Sequence, residues 1–248
     1  MAIIEIKNLV KKFKKFTAIN DISFDVKEGE ILGFLGPNGA GKTTTINVLT
    51  TLLIPTSGDA KIVGFDLVKD GEHVRTAIGV VPQTFALFGE LTAQENLEYI
   101  GKLYGLSDQQ IKERSESVLK RVSLYESKDR IAGVFSGGMK QRLSVAASIL
   151  SNPKILFMDE PTTGLDPQSR IAIRELTKDL NKQGITIIYT THDMEEAEKV
   201  CDRIIIMDKG KIMASGTSEE LKRKIMHNKN ASLEDVFIKL TKKEVRDK

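Results

Sequence analysis

Apolar positions in this chain fall into short runs between polar turns, and the period of the runs changes along it. Residues 3–10 and Ile22-Ser23-Phe24-Asp25-Val26 read as strands, the second placing Ile22, Phe24 and Val26 on one face. Ile31-Leu32-Gly33-Phe34-Leu35 is apolar throughout, as a strand covered on both faces must be. Residues 43–53 then take a helical period, Pro55-Thr56-Ser57-Gly58 makes a turn, and short strands follow at 60–63 and 78–81. The same alternation returns later, with a buried strand at 155–160, a helix from Pro167 to Gln183 closed by Gly184, and a strand at 185–189. A strand pair at 203–207 and 211–214 turns at Lys209-Gly210. Strands alternating with helices predict an α/β fold built on a mainly parallel sheet.

Proline spacing divides this pattern. The six prolines, at 37, 55, 82, 153, 161 and 167, all sit at predicted turns, and none falls between Pro82 and Pro153. That interval is expected to be mostly helical. Thr92-x-x-Glu95 and Ser107-x-x-Gln110 are capping-box starts, Gly105 fits a helix end, and Ser136 caps a helix running to Ser151. We read an inserted α-helical subdomain at about 84–152 within one large domain. Capped helices beginning near Thr217-x-x-Glu220 and Ser232-x-x-Asp235 form a short C-terminal extension over about 217–248.

Composition removes several functional classes. A net charge of +3, from 37 Lys and Arg against 34 Asp and Glu, gives no basic field for nucleic acid. The single Cys201 forbids an internal disulfide and fits a reducing compartment. The N-terminus lacks the apolar stretch of a signal peptide, and no apolar run approaches membrane-spanning length. The expectation is a soluble chain whose membrane role, where it has one, comes through a partner.

The chemistry centres on Gly36, Pro37, Asn38, Gly39, Ala40, Gly41, Lys42, Thr43 and Thr44, which fit the phosphate-loop pattern G-x-x-x-x-G-K-[ST]. A strand precedes the loop and a helix follows, the order that the pattern requires. Glycines let backbone N–H groups face phosphate, and the helix points its positive end at the same place. Lys42 is then placed for the β- and γ-phosphates, and the Thr43 hydroxyl for Mg²⁺. Asp159, ending a buried strand, has the place of a carboxylate that holds Mg²⁺ through water, and Glu160 follows it to polarise an attacking water. His192 lies just past the end of another strand. Since groups at the carboxyl ends of parallel strands surround the ligand crevice, Asp159, Glu160 and His192 are expected to converge on the loop. Ser136-Gly137-Gly138-Met139 at a helix start is a second anion-binding geometry. Lys11 to Phe16 is basic with two aromatics, and Phe13 or Phe16 offers a ring to an adenine base or packs at a strand end.

Six motifs in order make the chain resemble the nucleotide-binding ATPase subunit of an ABC transporter over nearly its whole length. Gly36 to Thr44 is similar to the family's Walker A motif, Gln83 to its Q-loop, and Phe135 to Met139 to its signature. Ile155 to Glu160 resembles the Walker B strand, Thr163-Gly164-Leu165-Asp166 the D-loop, and His192 the switch histidine. The resemblance implies a P-loop NTPase fold: a RecA-like core, a small N-terminal antiparallel β part and the inserted helical subdomain. It implies ATP and Mg²⁺ as cofactors, Thr43, Gln83 and Asp159 around the metal, and Glu160 as catalytic base with Lys42, Gln83 and His192 assisting. It further implies a head-to-tail dimer, of this chain or of a paralogous ATPase. There Ser136, Gly137 and Gly138 of one subunit close over ATP held by the other; Asp166 of the D-loop belongs to the nucleotide-binding set, and Phe13 is the adenine-stacking aromatic. An integral membrane permease is the implied partner, with this subunit peripheral on the cytoplasmic face of the membrane. Phe13 replaces the family's usual tyrosine and Met139 the usual glutamine of the signature.

Ser-Gly-Gly-Met-Lys-Gln-Arg, Phe88-Gly89-Glu90-Leu91-Thr92 and the late Ser232 to Phe237 are similar to the drug, antibiotic and sodium exporter branch. The alternative is a soluble ABC ATPase of DNA repair or translation, but such proteins carry a long coiled coil or two cassettes. This chain has one cassette and no heptad run. Apolar Thr84-Phe85-Ala86-Leu87-Phe88, directly after Gln83, either plugs the subdomain core or receives a short helix of the membrane partner.

Overall fold

β1 (Ala2–Phe13) and β2 (Phe16–Lys27) form an antiparallel hairpin, longer than the strands predicted at 3–10 and 22–26. The basic stretch around residues 11–16 shows no apolar alternation, yet backbone pairing of Lys11 with Ile19 and Phe13 with Phe16 carries it into the ladder. The structure, a computed structural model, describes residues 2–228 and 231–246. It comprises two units, Met1–Val74 with Thr186–Lys248, and Arg75–Ile185.

In the first unit, β3 (Ile31–Leu35) precedes α1 (Lys42–Leu49), and β4 (Ser57–Ile62) and β5 (Phe65–Asp66) complete an antiparallel sheet in the order β2-β1-β4-β5. The parallel part places β3 between β8 (Thr186–Thr191) and β9 (Arg203–Asp208), with β10 (Lys211–Gly216) antiparallel outside β9. All five residues of β3 are buried, as an unbroken apolar run demands. The C-terminal α8 (Ser218–Leu221) and α9 (Leu233–Arg246) belong to this unit, where Leu221, Leu233 and Val236 share one core cluster with Leu35, Ile204 and Ile206.

Arg203 ties β9 to the segment entering β3. Its Nε donates to Glu30 Oε1 at 2.6 Å, while its Nη2 donates to Glu30 Oε2 at 3.1 Å and to the Asp25 carbonyl at 2.6 Å. Burial pushes the Glu30 carboxyl up, but the Arg203 guanidinium and the Lys27 N–H outweigh it and hold the group below its ordinary value. A depressed folded-state value means stability that is present above the ordinary carboxylate range and lost as pH falls through the depressed one. Denaturant midpoints measured from neutral to acid pH are therefore expected to fall more steeply for the natural chain than for Glu30→Gln. Parallel curves would show that the pair is not titrating.

In the second unit, β6 (Ile78–Val81) and β7 (Ile155–Asp159) pair in parallel, Ile78 opposite Ile155 and Val81 opposite Met158. Between them in sequence come α3 (Ala93–Leu103), α4 (Asp108–Arg121) and α5 (Gly137–Ile149), and α6 (Pro167–Lys182) follows β7. Reciprocal capping boxes start α3 at Thr92 and Glu95, α4 at Ser107 and Gln110, and α8 at Thr217 and Glu220. Two seven-residue helices, α2 (Gly71–Ala77) and α7 (Met194–Val200), have too few turns to show a period and were not predicted. No helix among the described residues is long and apolar enough to cross a membrane.

Candidate functional site

The phosphate loop leaves β3 at Gly36 because only glycine fits there: a Cβ would stand 2.3 Å from the Met207 carbonyl oxygen. Gly41 needs glycine twice over, with φ at +104° and the Ala18 carbonyl 2.6 Å from where its Cβ would be. Gly41 also occupies the cap position of α1, so no side chain caps that helix, and its first turn holds no acidic residue. Neither feature offsets the positive end of its dipole. Lys42 is 4% exposed, and its Nζ donates to the Gly36 carbonyl at 2.7 Å and the Pro37 carbonyl at 3.2 Å, which holds the ammonium over the loop. Thr43 stands exposed beside it.

Phe13 and Phe16 both stay exposed at the hairpin tip, at 42% and 62%. Neither packs into the sheet as a buried plug. Lys11 Nζ lies 5.0 Å from the Phe13 ring centroid and is anchored on the Ile54 carbonyl at 2.6 Å, so one face of that ring carries a cation. His192 directly follows β8 and is exposed. His73 instead stacks on Phe65, with centroids 4.9 Å apart. Burial, then Asp202 and Glu196, hold the Cys201 thiol protonated, which removes it as a nucleophile.

The two carboxylates lie in the second unit. Asp159 ends β7 at 5% exposure, and Glu160 follows at 6% with φ +47°. Gln83 Nε2 donates to Glu160 Oε2 at 3.4 Å, so the structure brings together two residues 77 apart in sequence. Thr163 Oγ1 donates to the same oxygen at 3.2 Å. The sequence placed Thr163 in the D-loop motif but gave it no role beside Glu160. Here it lies in a turn closed by the Thr163 N–H on the Glu160 carbonyl at 3.1 Å.

Ser136 caps α5 through the Met139 N–H at 3.2 Å, and Ser136 and Gly137 are exposed at that helix start. A Cβ on Gly138 would lie 2.1 Å from Ser169 Oγ, so a packing demand sets this glycine. Met139 is half-buried. Asp166 caps α6, accepting from Ser169 Oγ at 2.6 Å and Ser169 N at 3.0 Å, and these bonds hold its carboxyl below the ordinary value.

Thr84 to Phe88 do not plug a core. Phe85 and Phe88 are 40% and 47% exposed, and with Tyr99, Leu103 and Tyr104 they line a cleft of about 570 Å³ within this unit. The Phe88 ring meets Tyr99 edge-on at 4.7 Å.

Comparison with known proteins agrees with these elements. The family model described as ABC transporter matches residues 19–163. The linearmycin resistance ATP-binding protein LnrL of Bacillus subtilis (strain 168) is 47% identical over 219 residues, covering 88% of this chain and 70% of that protein. Nod factor export ATP-binding protein I of Ralstonia nicotianae is 39% identical over 235 residues, covering 95% of this chain and 72% of that protein. Among solved structures, an ATP-binding cassette seen as a dimer in a post-hydrolysis state, bound to ADP and Pi, superposes with a TM-score of 0.78. It is 31% identical and covers 86% of this chain and 98% of the cassette. With a phosphate loop shaped by its own packing and relatives matched along most of its length, this chain belongs to the ABC transporter family, as an ATP-binding subunit that hydrolyses ATP.

Proposed function

We propose that this chain is the ATP-driven motor of an exporter, working as a dimer on an integral membrane permease at the cytoplasmic face. The observation that carries the membrane partner is the exposed aromatic cleft that begins two residues after Gln83. Isolated soluble surfaces seldom leave so many large apolar side chains uncovered at one place. Export follows the names of LnrL and the Nod factor protein, the one a resistance protein and the other an export protein. A soluble ATPase acting on nucleic acid or ribosomes lacks support in the near-balanced charge.

Hydrolysis then divides among the residues as follows. Backbone amides of the loop and the Lys42 ammonium bind the phosphates, and the Phe13 ring takes the adenine. Glu160 accepts a proton from water as the water oxygen bonds to the γ-phosphorus and the bond to the leaving ADP oxygen breaks. His192 stands by the γ-phosphate, and Ser136, Gly137 and Gly138, with Asp166, serve the partner subunit's nucleotide. Thr43, Gln83 and, through water, Asp159 would hold Mg²⁺, which when bound would neutralise phosphate charge. That sparse oxygen set suits an ion that keeps several waters.

Placing a charge in the cleft tests the partner. Phe88→Asp is expected to reduce recovery of the membrane subunit in a pull-down by at least about tenfold, the weight of one buried aromatic anchor. ATP binding and the melting temperature of the isolated subunit are expected to change little, because the Phe88 ring is already half-exposed. Undiminished recovery, or a large loss of stability, would return Phe88 to a packing role.

A further inference from the structure

Glu160 is a long side chain given a task that tolerates one orientation. A base must point its carboxylate at the water, and a glutamate has three torsions with which to miss. Among the groups that hold it, two donate to Oε2: Gln83 Nε2 at 3.4 Å and Thr163 Oγ1 at 3.2 Å. They differ in kind. Gln83 is exposed in an irregular stretch, its bond is long, and its amide oxygen is the atom assigned above to Mg²⁺. Thr163 sits in the same tight turn as the base. Its N–H bonds the Glu160 carbonyl at 3.1 Å, and the Leu165 N–H bonds the Thr162 carbonyl at 3.2 Å.

That turn is fixed at both ends. Glu160 itself holds φ +47°, a conformation that non-glycine residues adopt only where their surroundings impose it. At the far end Asp166 caps α6, and Leu165 is buried, with Cδ2 3.5 Å from the position of a Cβ on Gly137. The Thr163 hydroxyl thus reaches Glu160 from a backbone that is already ordered, so little freedom is lost when the bond forms.

We propose that Thr163 is a positioning residue of the catalytic base: its hydroxyl, carried by the turn that carries the base, holds Glu160 Oε2 and so fixes the orientation of the carboxylate. The inference rests on the reading of Glu160 as base. It assigns Thr163 no contact with nucleotide.

The test compares Thr163→Val, which keeps the shape and removes the donor, with Thr163→Ser, which keeps the donor. Steady-state turnover and equilibrium binding of a fluorescent ATP analogue are measured on the full chain, with Glu160→Gln alongside. Loss of a hydrogen bond to a charged group is expected to lower kcat roughly tenfold in Thr163→Val, while KM and the analogue's affinity stay within about twofold. Thr163→Ser is expected to recover most of that loss. If valine at this turn prevents folding, Thr163→Ala against Thr163→Ser makes the same comparison. Natural kcat in Thr163→Val beside an inactive Glu160→Gln would overturn the positioning role alone. A fall in analogue affinity matching the fall in kcat, or no recovery with serine, would also overturn it, in favour of a structural turn residue. An active Glu160→Gln would instead overturn the reading of Glu160 on which the inference depends.

Discussion

Glu160→Gln is expected to abolish turnover and leave ATP binding intact. The amide keeps the shape of the carboxylate and an oxygen for the Thr163 hydroxyl, which lies 3.2 Å from Glu160 Oε2, so the site stays assembled. What it loses is the ability to take a proton from water, and general-base catalysis is worth roughly 10²- to 10⁴-fold. ATP that binds but is not cleaved should hold two subunits together. Size-exclusion chromatography in ATP and Mg²⁺ is expected to show a dimer for Glu160→Gln that the natural chain forms only in passing. Turnover within tenfold of the natural rate would remove Glu160 from the role of base.

The second large effect concerns the sharing of the site between subunits. Lys42→Ala is expected to weaken nucleotide binding strongly, because it removes the ammonium held over the loop by the Gly36 and Pro37 carbonyls. Ser136→Arg blocks the exposed start of α5, so either homodimer has no complete site. Mixed together, the two chains place an intact loop from the Ser136→Arg subunit against an intact Ser136 from the Lys42→Ala subunit. ATPase activity is expected to appear in the mixture and in neither parent. Ser136 is also a helix cap, and its loss costs about 1 kcal/mol, so a thermal melt of each parent separates a folding defect from a missing site. Full activity from a strictly monomeric preparation would end the shared-site reading.

Much of this protein is local chemistry and was legible as such. The phosphate loop reads directly because its glycines, lysine and threonine are adjacent, and the backbone geometry they impose is made within nine residues. Cap signals at Thr92, Ser107, Ser136 and Thr217 were read correctly for the same reason: each bond spans three residues. The apolar runs of β3 and of β7 up to Met158 named the buried strands, since burial on both faces favours apolar side chains at every position along them.

Other features depend on groups that meet only after folding. The extent of the β1–β2 hairpin was hidden because strand pairing is decided by the opposite strand, and a run of lysines carries no period to announce it. Nothing in the sequence says that Gly138 must lack a Cβ; Ser169, thirty-one positions away, decides that by lying 2.1 Å from where one would be. Whether Phe85 and Phe88 plug a core or stay open was undecided from the sequence, because hydrophobicity fixes a preference for burial and not the availability of a cavity. The Gln83 contact with Glu160 spans 77 residues, and the Thr163 hydroxyl reaches the same oxygen only because the backbone turns left-handed at Glu160. Residue types and their spacing thus determined the chemistry this chain offers to ATP, while the orientation of its base is a property of the packed turn, which no spacing along the chain encodes.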